Sequence, residues 1–275
     1  MQIAVTSHID LFLVLLSVGA VGGFLSGMLG VGGGIVFVPA LYFTLQSFFP
    51  GSFHVMHVAV ATSLSLVMAT SASSAYWQNK RGAVDFELLK TWAFPKICGV
   101  LLGTFLASYV NSGFLKDFFA VITVLIGTYI VLGKDAAEDA PPRPHRISKG
   151  MQKVLAAMIG TVASMLGIGG ATLNIPLMNY IGLPIRKSVG TGGALAVIIS
   201  LPGVIGYILI GLYKAPVLPP YCLGYVNWLA LACILPTSML LSPVGVHVSH
   251  KMPRKVLRGI FAAVLLAVSV RMISS

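Results

Sequence analysis

The stretch Gly27–Leu41, which reads GMLGVGGGIVFVPAL, decides the fold because Ser164–Met178 repeats it as SMLGIGGATLNIPLM. Glycines recur at matched positions, and a proline follows them, Pro39 in one copy and Pro176 in the other. Glycine imposes little steric restriction and proline lacks a backbone donor, so both copies predict broken helices. In lipid, such a break survives only where protein or a water-filled cavity satisfies the freed backbone groups. A matching pair of interrupted segments points to the binding site of a transporter.

The composition places the chain in a membrane. Of its 275 residues, 57% are hydrophobic and 9% are charged, whereas a soluble domain carries about 25% charged residues. The apolar runs are spread along the whole length, which predicts an all-α polytopic membrane protein. The net charge of +11 does not indicate nucleic-acid binding, because the basic residues fill short gaps between apolar runs and form no basic face with interleaved aromatics.

Ten apolar runs divide into two sets of five. They cover residues 9–27, 35–49, 55–77, 91–110 and 114–133, then 151–166, 171–182, 188–213, 225–249 and 256–273. We interpret residues 1–133 and 151–275 as two membrane repeats, joined by a cytoplasmic Pro-rich linker, 134–150. The runs 35–49 and 171–182 are shorter than the roughly 20 residues of a full crossing. Re-entrant hairpins with glycine tips inside the membrane and ordinary short spans are both open interpretations.

Shorter matches keep the same order in the two halves. Val60–Ser63 aligns with Val189–Gly192, and Gly82–Phe86 aligns with Gly224–Trp228. One half therefore reads as a duplicate of the other.

The basic residues indicate how the two copies are oriented. Most Lys and Arg residues fall on one side if five passes make up each half, which makes that side cytoplasmic and places both termini outside. The loop with Lys80 and Arg81 is basic, whereas its copy contains only Lys214. The loop after the second run lacks Lys and Arg, whereas its copy carries Arg186 and Lys187. Charge has changed sides between the copies, which predicts two inverted-topology repeats of about five helical segments each.

A glycine motif ending in Pro39, a V-x-T segment at Val60–Thr62 and an R-G-x-V-D loop at Arg81–Asp85 occur in this order, followed by a degenerate second copy. In this pattern the chain resembles the TauE/SafE sulfite exporter family over nearly its whole length. The resemblance implies a bacterial inner-membrane permease for sulfite, a sulfonate or a related organosulfur anion. The second copy has Ala171 where a third glycine is common, so a symmetric site is not expected.

Both glycine motifs supply candidate ligands for an anion. Half-helix N-termini that point inward offer free N–H groups and about half a positive charge each. The candidates are Gly30, Gly32, Gly33, Gly34, Gly167, Gly169 and Gly170. The alternative is that these glycines only let helices pack closely, as small residues do in other membrane proteins.

Hydroxyl and amide candidates lie next to the motifs. Thr62 and Ser63 begin the third run, Thr191 and Gly192 begin its counterpart, and Asn174 lies in the second motif. The hydroxyls can bind an oxyanion or a carbonyl of their own helix. Asn174 is either a substrate donor or part of an interhelical hydrogen bond.

Three side chains are candidates for coupling or gating: His54, His57 and Lys96. A charge inside the membrane is a functional hypothesis. Lys96 lies only about 9 Å of helix rise beyond Lys90, so the favoured interpretation is that it snorkels to the cytoplasmic interface. For the two histidines, spaced i, i+3, interfacial hydrogen bonding is favoured over proton coupling.

The sequence lacks the motifs that would indicate an enzyme, a metal site or a nucleotide site. The sequence has no HExxH, CxxC, GxSxG or Walker pattern, and its three cysteines are scattered. We therefore expect no metal, no cofactor and no enzymatic activity. The leading hypothesis is a secondary transporter that moves a small sulfur oxyanion by alternating access, with H⁺ or Na⁺ as the coupling ion. An anion channel and a carrier for a non-sulfur organic anion are the alternatives, and a homodimer is left open.

Overall fold

The computed structural model describes residues 2–29, 33–132, 147–214 and 218–274. These ranges contain ten helices and one short hairpin. The elements are α1 (Gln2–Leu29), α2 (Gly34–Phe48), α3 (Val55–Lys80), α4 (Phe86–Ala107), α5 (Ser112–Leu132), α6 (Lys149–Leu166), α7 (Ala171–Tyr180), α8 (Ile185–Lys214), β1 (Cys222–Leu223), β2 (Val226–Asn227), α9 (Trp228–Lys251) and α10 (Arg254–Ile273). The helices follow the ten predicted runs and confirm the all-α membrane class. The sequence did not predict the hairpin, in which Leu223 pairs with Val226.

The outer surface of the bundle is apolar. Four of the described helices, α1, α3, α8 and α9, are long and apolar enough to cross a membrane. Large side chains such as Phe94 and Leu240, each 74% exposed, point away from the bundle. A continuous exposed apolar surface is unfavourable in water, so this surface contacts lipid.

The helices that follow the glycine motifs are short. α2 has 15 residues and α7 has 10, which correspond to about 22 Å and 15 Å of rise, whereas the hydrocarbon core is about 30 Å thick. Each is preceded by a glycine in the left-handed region, Gly33 with φ 75° and Gly170 with φ 76°. These lengths support re-entrant hairpins, and Gly30 and Gly32 lie outside the described residues.

Helices pair mainly across the two halves. α1 packs along α9, α4 packs along α6, α3 packs against α8, and α5 packs against α10. Exchanging the two halves converts the α1–α9 pair into the α6–α4 pair. The α3–α8 and α5–α10 pairs are converted into themselves. The relative inversion of the halves stays a prediction. Of the predicted linker 134–150, residues 134–146 lie outside the described residues, and Lys149 already belongs to α6.

Small residues allow the closest of these helix contacts. Gly19, Gly23 and Gly27, spaced by four residues on α1, lie directly against α9. Gly103 lies on the carbonyl of Thr161 where α4 crosses α6. A side chain at any of these positions would displace the backbone or a side chain of the facing helix, so the small-xxx-small spacing fixes how the pairs cross.

Candidate functional site

The two predicted helix breaks touch each other. A Cβ atom built on Gly34, the first residue of α2, would lie 2.6 Å from the carbonyl oxygen of Gly167 and 2.6 Å from the Cα of Ile168. The Ser63 hydroxyl donates to the same Gly167 carbonyl at 2.9 Å. The structure thus brings predicted residues from both motifs and from α3 to one point.

The turn before α7 is built from left-handed glycines. Gly167, Gly169 and Gly170 have φ angles of 72°, 60° and 76°. L-residues with a side chain rarely adopt this conformation, which explains the glycine-rich sequence at this point. Gly192, in contrast, is in ordinary helical backbone, and a Cβ there would meet only Ile175, at 3.6 Å.

A hydroxyl-lined vestibule leads toward the breaks from the end of the bundle at which Arg81 lies. Its outer part has a volume of about 640 Å³ and its inner part about 130 Å³. Both parts are lined by Thr70, Ser74, Ser242 and Val246, so they are continuous. The inner part ends at Ser26 and Gly27 of α1 and at Ala171 of α7.

The residues that line this vestibule are not those that the sequence singled out. None of the predicted ligands is among its described lining residues, whereas hydroxyls of α1, α3 and α9 are. These hydroxyls belong to Ser26, Thr70, Ser71, Ser73, Ser74 and Ser242. The sequence does contain a signal for this lining, namely the run of small polar residues that begins at Thr70 inside an otherwise apolar helix.

Thr62 and Thr191 make equivalent contacts between the halves. The Thr62 hydroxyl oxygen accepts from the backbone N–H of Asn227 at 3.0 Å, and that of Thr191 accepts from the N–H of Asp85 at 2.9 Å. Asp85 and Asn227 are the capping residues of α4 and α9, because their side-chain oxygens accept from Leu88 and Ala230 three residues later. A ligand role for the two threonines stays a prediction.

Lys96 is completely buried, and the snorkelling interpretation is wrong. Its Nζ donates to the Asn174 Oδ1 at 2.6 Å and lies 5.3 Å from the centre of the Trp92 ring. The reason is the face of α4 on which it lies: Trp92, Lys96 and Gly99 follow the helical period on the buried face, opposite the exposed Phe94. The distance of Lys96 from Lys90 along α4 did not indicate the direction in which the Lys96 side chain points.

His57 joins several segments at the other end of the bundle. Its Nε2 donates to the carbonyl of Ala107 at 2.9 Å, and its Nδ1 lies 3.4 Å from the hydroxyl of Ser112. That hydroxyl donates to the carbonyl of Phe53 at 2.7 Å. The Tyr225 ring stacks on His57 with 5.2 Å between centres. The contacts tie α3, α4, α5 and the hairpin loop together.

His54 precedes α3 in the same cluster. Its ring lies 5.4 Å from that of Tyr225, and its Nδ1 is buried without a hydrogen-bond partner. Partial burial lowers the pKa of His54 below its ordinary value of 6.5, because burial penalises the charged ring. Burial likewise raises the pKa of the Tyr225 hydroxyl.

A lysine links the two halves at the same end. The Lys214 ammonium, at the end of α8, lies 3.5 Å from the centre of the Tyr109 ring and donates to the Ser108 hydroxyl at 3.2 Å. This contact and those of His57 lie at the end opposite the vestibule. Within the described ranges, no three His, Cys, Asp or Glu residues are arranged to hold a metal ion.

The chain as a whole matches one protein family. The model of the family described as sulfite exporter TauE/SafE matches residues 15–272. The chain belongs to the TauE/SafE family. This membership confirms the resemblance that the glycine motifs and the loop at Arg81 indicated.

Several relatives of this TauE/SafE chain are named as transporters. A probable membrane transporter protein of Haemophilus influenzae is 29% identical, with 94% of this chain and 97% of the relative covered. The probable membrane transporter protein YunE of Bacillus subtilis is 24% identical, with 95% and 97% covered. A probable membrane transporter protein of Methanocaldococcus jannaschii is 25% identical, with 92% and 91% covered. No solved structure matches the chain at a significant level.

Proposed function

We propose that this TauE/SafE protein is a secondary transporter that moves a small sulfur-containing oxyanion, such as sulfite or a sulfonate, across the bacterial inner membrane by alternating access. The observation that carries the proposal is the contact of Gly34 with Gly167 and Ile168 near the inner end of the vestibule. Two broken helices that meet close to a cavity with hydroxyl groups in its lining resemble the arrangement in which secondary transporters bind substrate.

The chemistry of the vestibule fits an anion. Its described lining provides six hydroxyl groups and, at the mouth, the Arg81 guanidinium, and it includes no carboxylate. Gly33 and Gly170, which precede α2 and α7, have no side chain that could cap these helices. The positive end of α2 lies where the halves meet, because Gly34 contacts Gly167 and Ile168.

The described residues differ between the two ends of the bundle. The vestibule opens at the end with Lys80 and Arg81, whereas the contacts of Lys214 with Tyr109 and of His57 with Ala107 link helices at the opposite end. If the basic end is cytoplasmic, as the charge distribution predicts, this conformation is inward-facing. The contact at Gly34 interrupts any straight path, which favours a carrier over an open channel.

Of the substrate ligands proposed from the sequence, Gly34, Gly167 and Ser63 meet at this contact. In the outward-facing state the anion would be bound by the exposed backbone of the two glycine motifs, with Ser63, Thr62, Thr191 and Asn174 nearby. The hydrogen bonds of Thr62 and Thr191 occupy equivalent positions in the two halves and so support a duplicated architecture. Such a duplication provides two equivalent conformations, one open to each side.

The test is counterflow in proteoliposomes with sulfite, sulfoacetate, taurine and thiosulfate. We expect saturable exchange that is accelerated by substrate on the opposite side, and repeating it with imposed Na⁺ or H⁺ gradients identifies the coupling ion. Ser74→Trp, which fills the vestibule, should abolish exchange, whereas Leu240→Trp on the exposed face of α9 should not. Conductance without trans-stimulation would indicate a channel. No exchange or competition by any sulfur anion would overturn the proposed cargo.

A further inference from the structure

We infer that Lys96 of the first half, together with Asn174 and Ser200 of the second half, forms a charged subsite for the oxyanion group of the substrate at the start of α7. The inference rests on the proposed function and adds a ligand set to it. The site is asymmetric with respect to the repeat, because each chain contains one such subsite.

The first line of evidence is a buried amide with one unused end. Asn174 is completely buried, and its Oδ1 accepts from Lys96. Its Nδ2 has no hydrogen-bond partner in the structure and lies 3.5 Å from the position of a Cβ on Gly170, the capping residue of α7. An unpaired donor is thus held at the positive end of a ten-residue helix.

A buried hydroxyl without a partner lies beside it. The Ser200 Oγ on α8 lies 3.6 Å from the position of a Cβ on Gly169, the residue before Gly170. Buried polar groups are nearly always hydrogen-bonded, because an unpaired one is unfavourable. Two such groups beside two adjacent glycines indicate a common ligand.

The charge of Lys96 defines the class of that ligand. An ammonium group has three donors, and Asn174 accepts only one of them. No ion pair within the described ranges involves Lys96; the pair found there joins Lys116 and Asp117. A buried cation without a counter-charge is costly. A compact group with three oxygens, such as sulfite or the sulfonate end of an organic molecule, supplies the charge and the acceptors together.

The symmetry-related positions lack the donors of Lys96 and Asn174. Phe37 of the first half stands where the second half has Asn174, and extension of the repeat alignment places Ser238 of the second half opposite Lys96 of the first. Phe37 is completely buried against Gly22 and Gly33, and the Ser238 hydroxyl donates to its own helix, at Leu235. The symmetry-related pair therefore packs without a buried charge, so Lys96 and Asn174 are not required by the fold.

The subsite is occluded behind α7 in this conformation. Ala171 and Ile175 line the vestibule, whereas the unpaired amide of Asn174 is buried on a different side of the same short helix. A displacement of α7 would connect the two. The vestibule then delivers the anion, and the subsite holds its charged end while access changes sides.

The experiment measures the sulfite concentration that gives half-maximal thermal stabilisation of the detergent-solubilised full chain, together with the KM of counterflow. Lys96→Gln and Asn174→Asp should each raise both concentrations at least about tenfold, because a hydrogen bond to a charged group contributes about 1.5–3 kcal/mol. Lys90→Gln, an exposed lysine on the same helix, is the matched control and should stay within about twofold.

Asn174→Asp separates binding from structure. It gives Lys96 a permanent carboxylate partner, so the protein should fold with an unchanged or raised melting temperature and yet lose its response to sulfite. The double variant Lys96→Ser with Asn174→Phe reproduces the symmetry-related pair, Ser238 and Phe37, and should behave in the same way.

The outcomes distinguish the subsite from the proposed function. If the wild type exchanges sulfur anions and Lys96→Gln and Asn174→Asp keep its half-saturating concentrations, the subsite is wrong and the function stands. If the wild type shows neither exchange nor stabilisation with any sulfur anion, both are wrong. If Lys96→Gln does not fold, the response of Asn174→Asp to sulfite tests the subsite alone. Loss of stabilisation by sulfite supports the subsite, and a response like that of the wild type overturns it.

Discussion

The hydroxyl oxygen of Thr62 accepts a hydrogen bond at 3.0 Å from the backbone N–H of Asn227, 165 positions later in the chain. The equivalent contact joins Thr191 to the N–H of Asp85 at 2.9 Å. Because Asp85 and Asn227 precede α4 and α9, the third helix of each half positions the beginning of the fourth helix of the other half.

Replacing Thr62 should therefore destabilise the protein. Thr62→Val leaves the buried N–H of Asn227 without an acceptor, at a cost of about 1–3 kcal/mol, and should lower the melting temperature in detergent. Thr191→Val should have a smaller effect, since the N–H of Asp85 is only partly buried. Thr62→Ser retains the acceptor and is the control. A loss of transport in Thr62→Val at unchanged stability would instead identify Thr62 as a substrate ligand.

Replacement of Gly34 tests the contact between the breaks. In Gly34→Ala the new Cβ would lie 2.6 Å from the backbone of Gly167 and Ile168, neither of which can move as a side chain does. Overpacking of this kind costs about 1–3 kcal/mol, so both the melting temperature and the exchange rate should fall. Gly192→Ala, where the nearest atom is 3.6 Å away, should be tolerated. Equal behaviour of the two variants would contradict the packing described for Gly34.

Arg81 should affect substrate capture rather than turnover. It lines the outer part of the vestibule, and a unit charge several ångströms away in water contributes about 0.5 kcal/mol. Arg81→Gln should raise the KM for a sulfur anion roughly two- to threefold at low salt, with an unchanged maximal rate. At about 0.5 M salt the difference should disappear because screening removes the attraction. Lys149→Gln, an exposed lysine outside the vestibule lining, is the comparison variant.

The stability of the protein should decrease as the pH is lowered through about 6.5. Burial lowers the pKa of His54 in the folded state, so between that lower pKa and 6.5 the unfolded state binds more protons. The free energy of unfolding therefore rises with pH in this window and is lost toward acid. Melting temperatures measured from pH 7.5 to 5.5 should fall less in His54→Gln than in the wild type. His247→Gln, an exposed residue on α9, should leave the dependence as it is.

The sidedness of the bundle can be tested with single cysteines. Phe53 is 82% exposed at the end opposite the vestibule, and Lys149 is exposed at the basic end. In a background with Cys98, Cys222 and Cys233 replaced by alanine, Phe53→Cys should react with an impermeant maleimide in intact cells. Lys149→Cys should react only after the membrane is opened. The reverse pattern would place the vestibule outside and invert the proposed direction of access.

The fold was predictable because its signals are local. The length of an apolar run, the glycines before α2 and α7, and the basic loop at Arg81 are properties of neighbouring residues, and the helices follow them. The short hairpin at Cys222–Asn227 was not predictable, because two-residue strands carry no periodic signal.

The site was only partly predictable because its contacts are long-range. Ser63 and Gly167 were both candidates and do meet, 104 positions apart. The partner of Lys96 could not be inferred from α4 alone, since Asn174 belongs to another repeat and 78 positions separate them. The vestibule depends on which faces of α3 and α9 lie opposite each other, and only the assembled bundle determines this.

The pairing of α1 with α9 has a consequence for biosynthesis. The glycine-lined face of α1 packs on a helix that begins at Trp228, and about 200 residues must be translated between them. At roughly 5–20 residues per second, the ribosome needs about 10–40 s to supply that helix. During this interval α1 resides in the bilayer without its main partner, so its membrane insertion must precede its packing, and an insertase or chaperone has time to contact the small-residue face first.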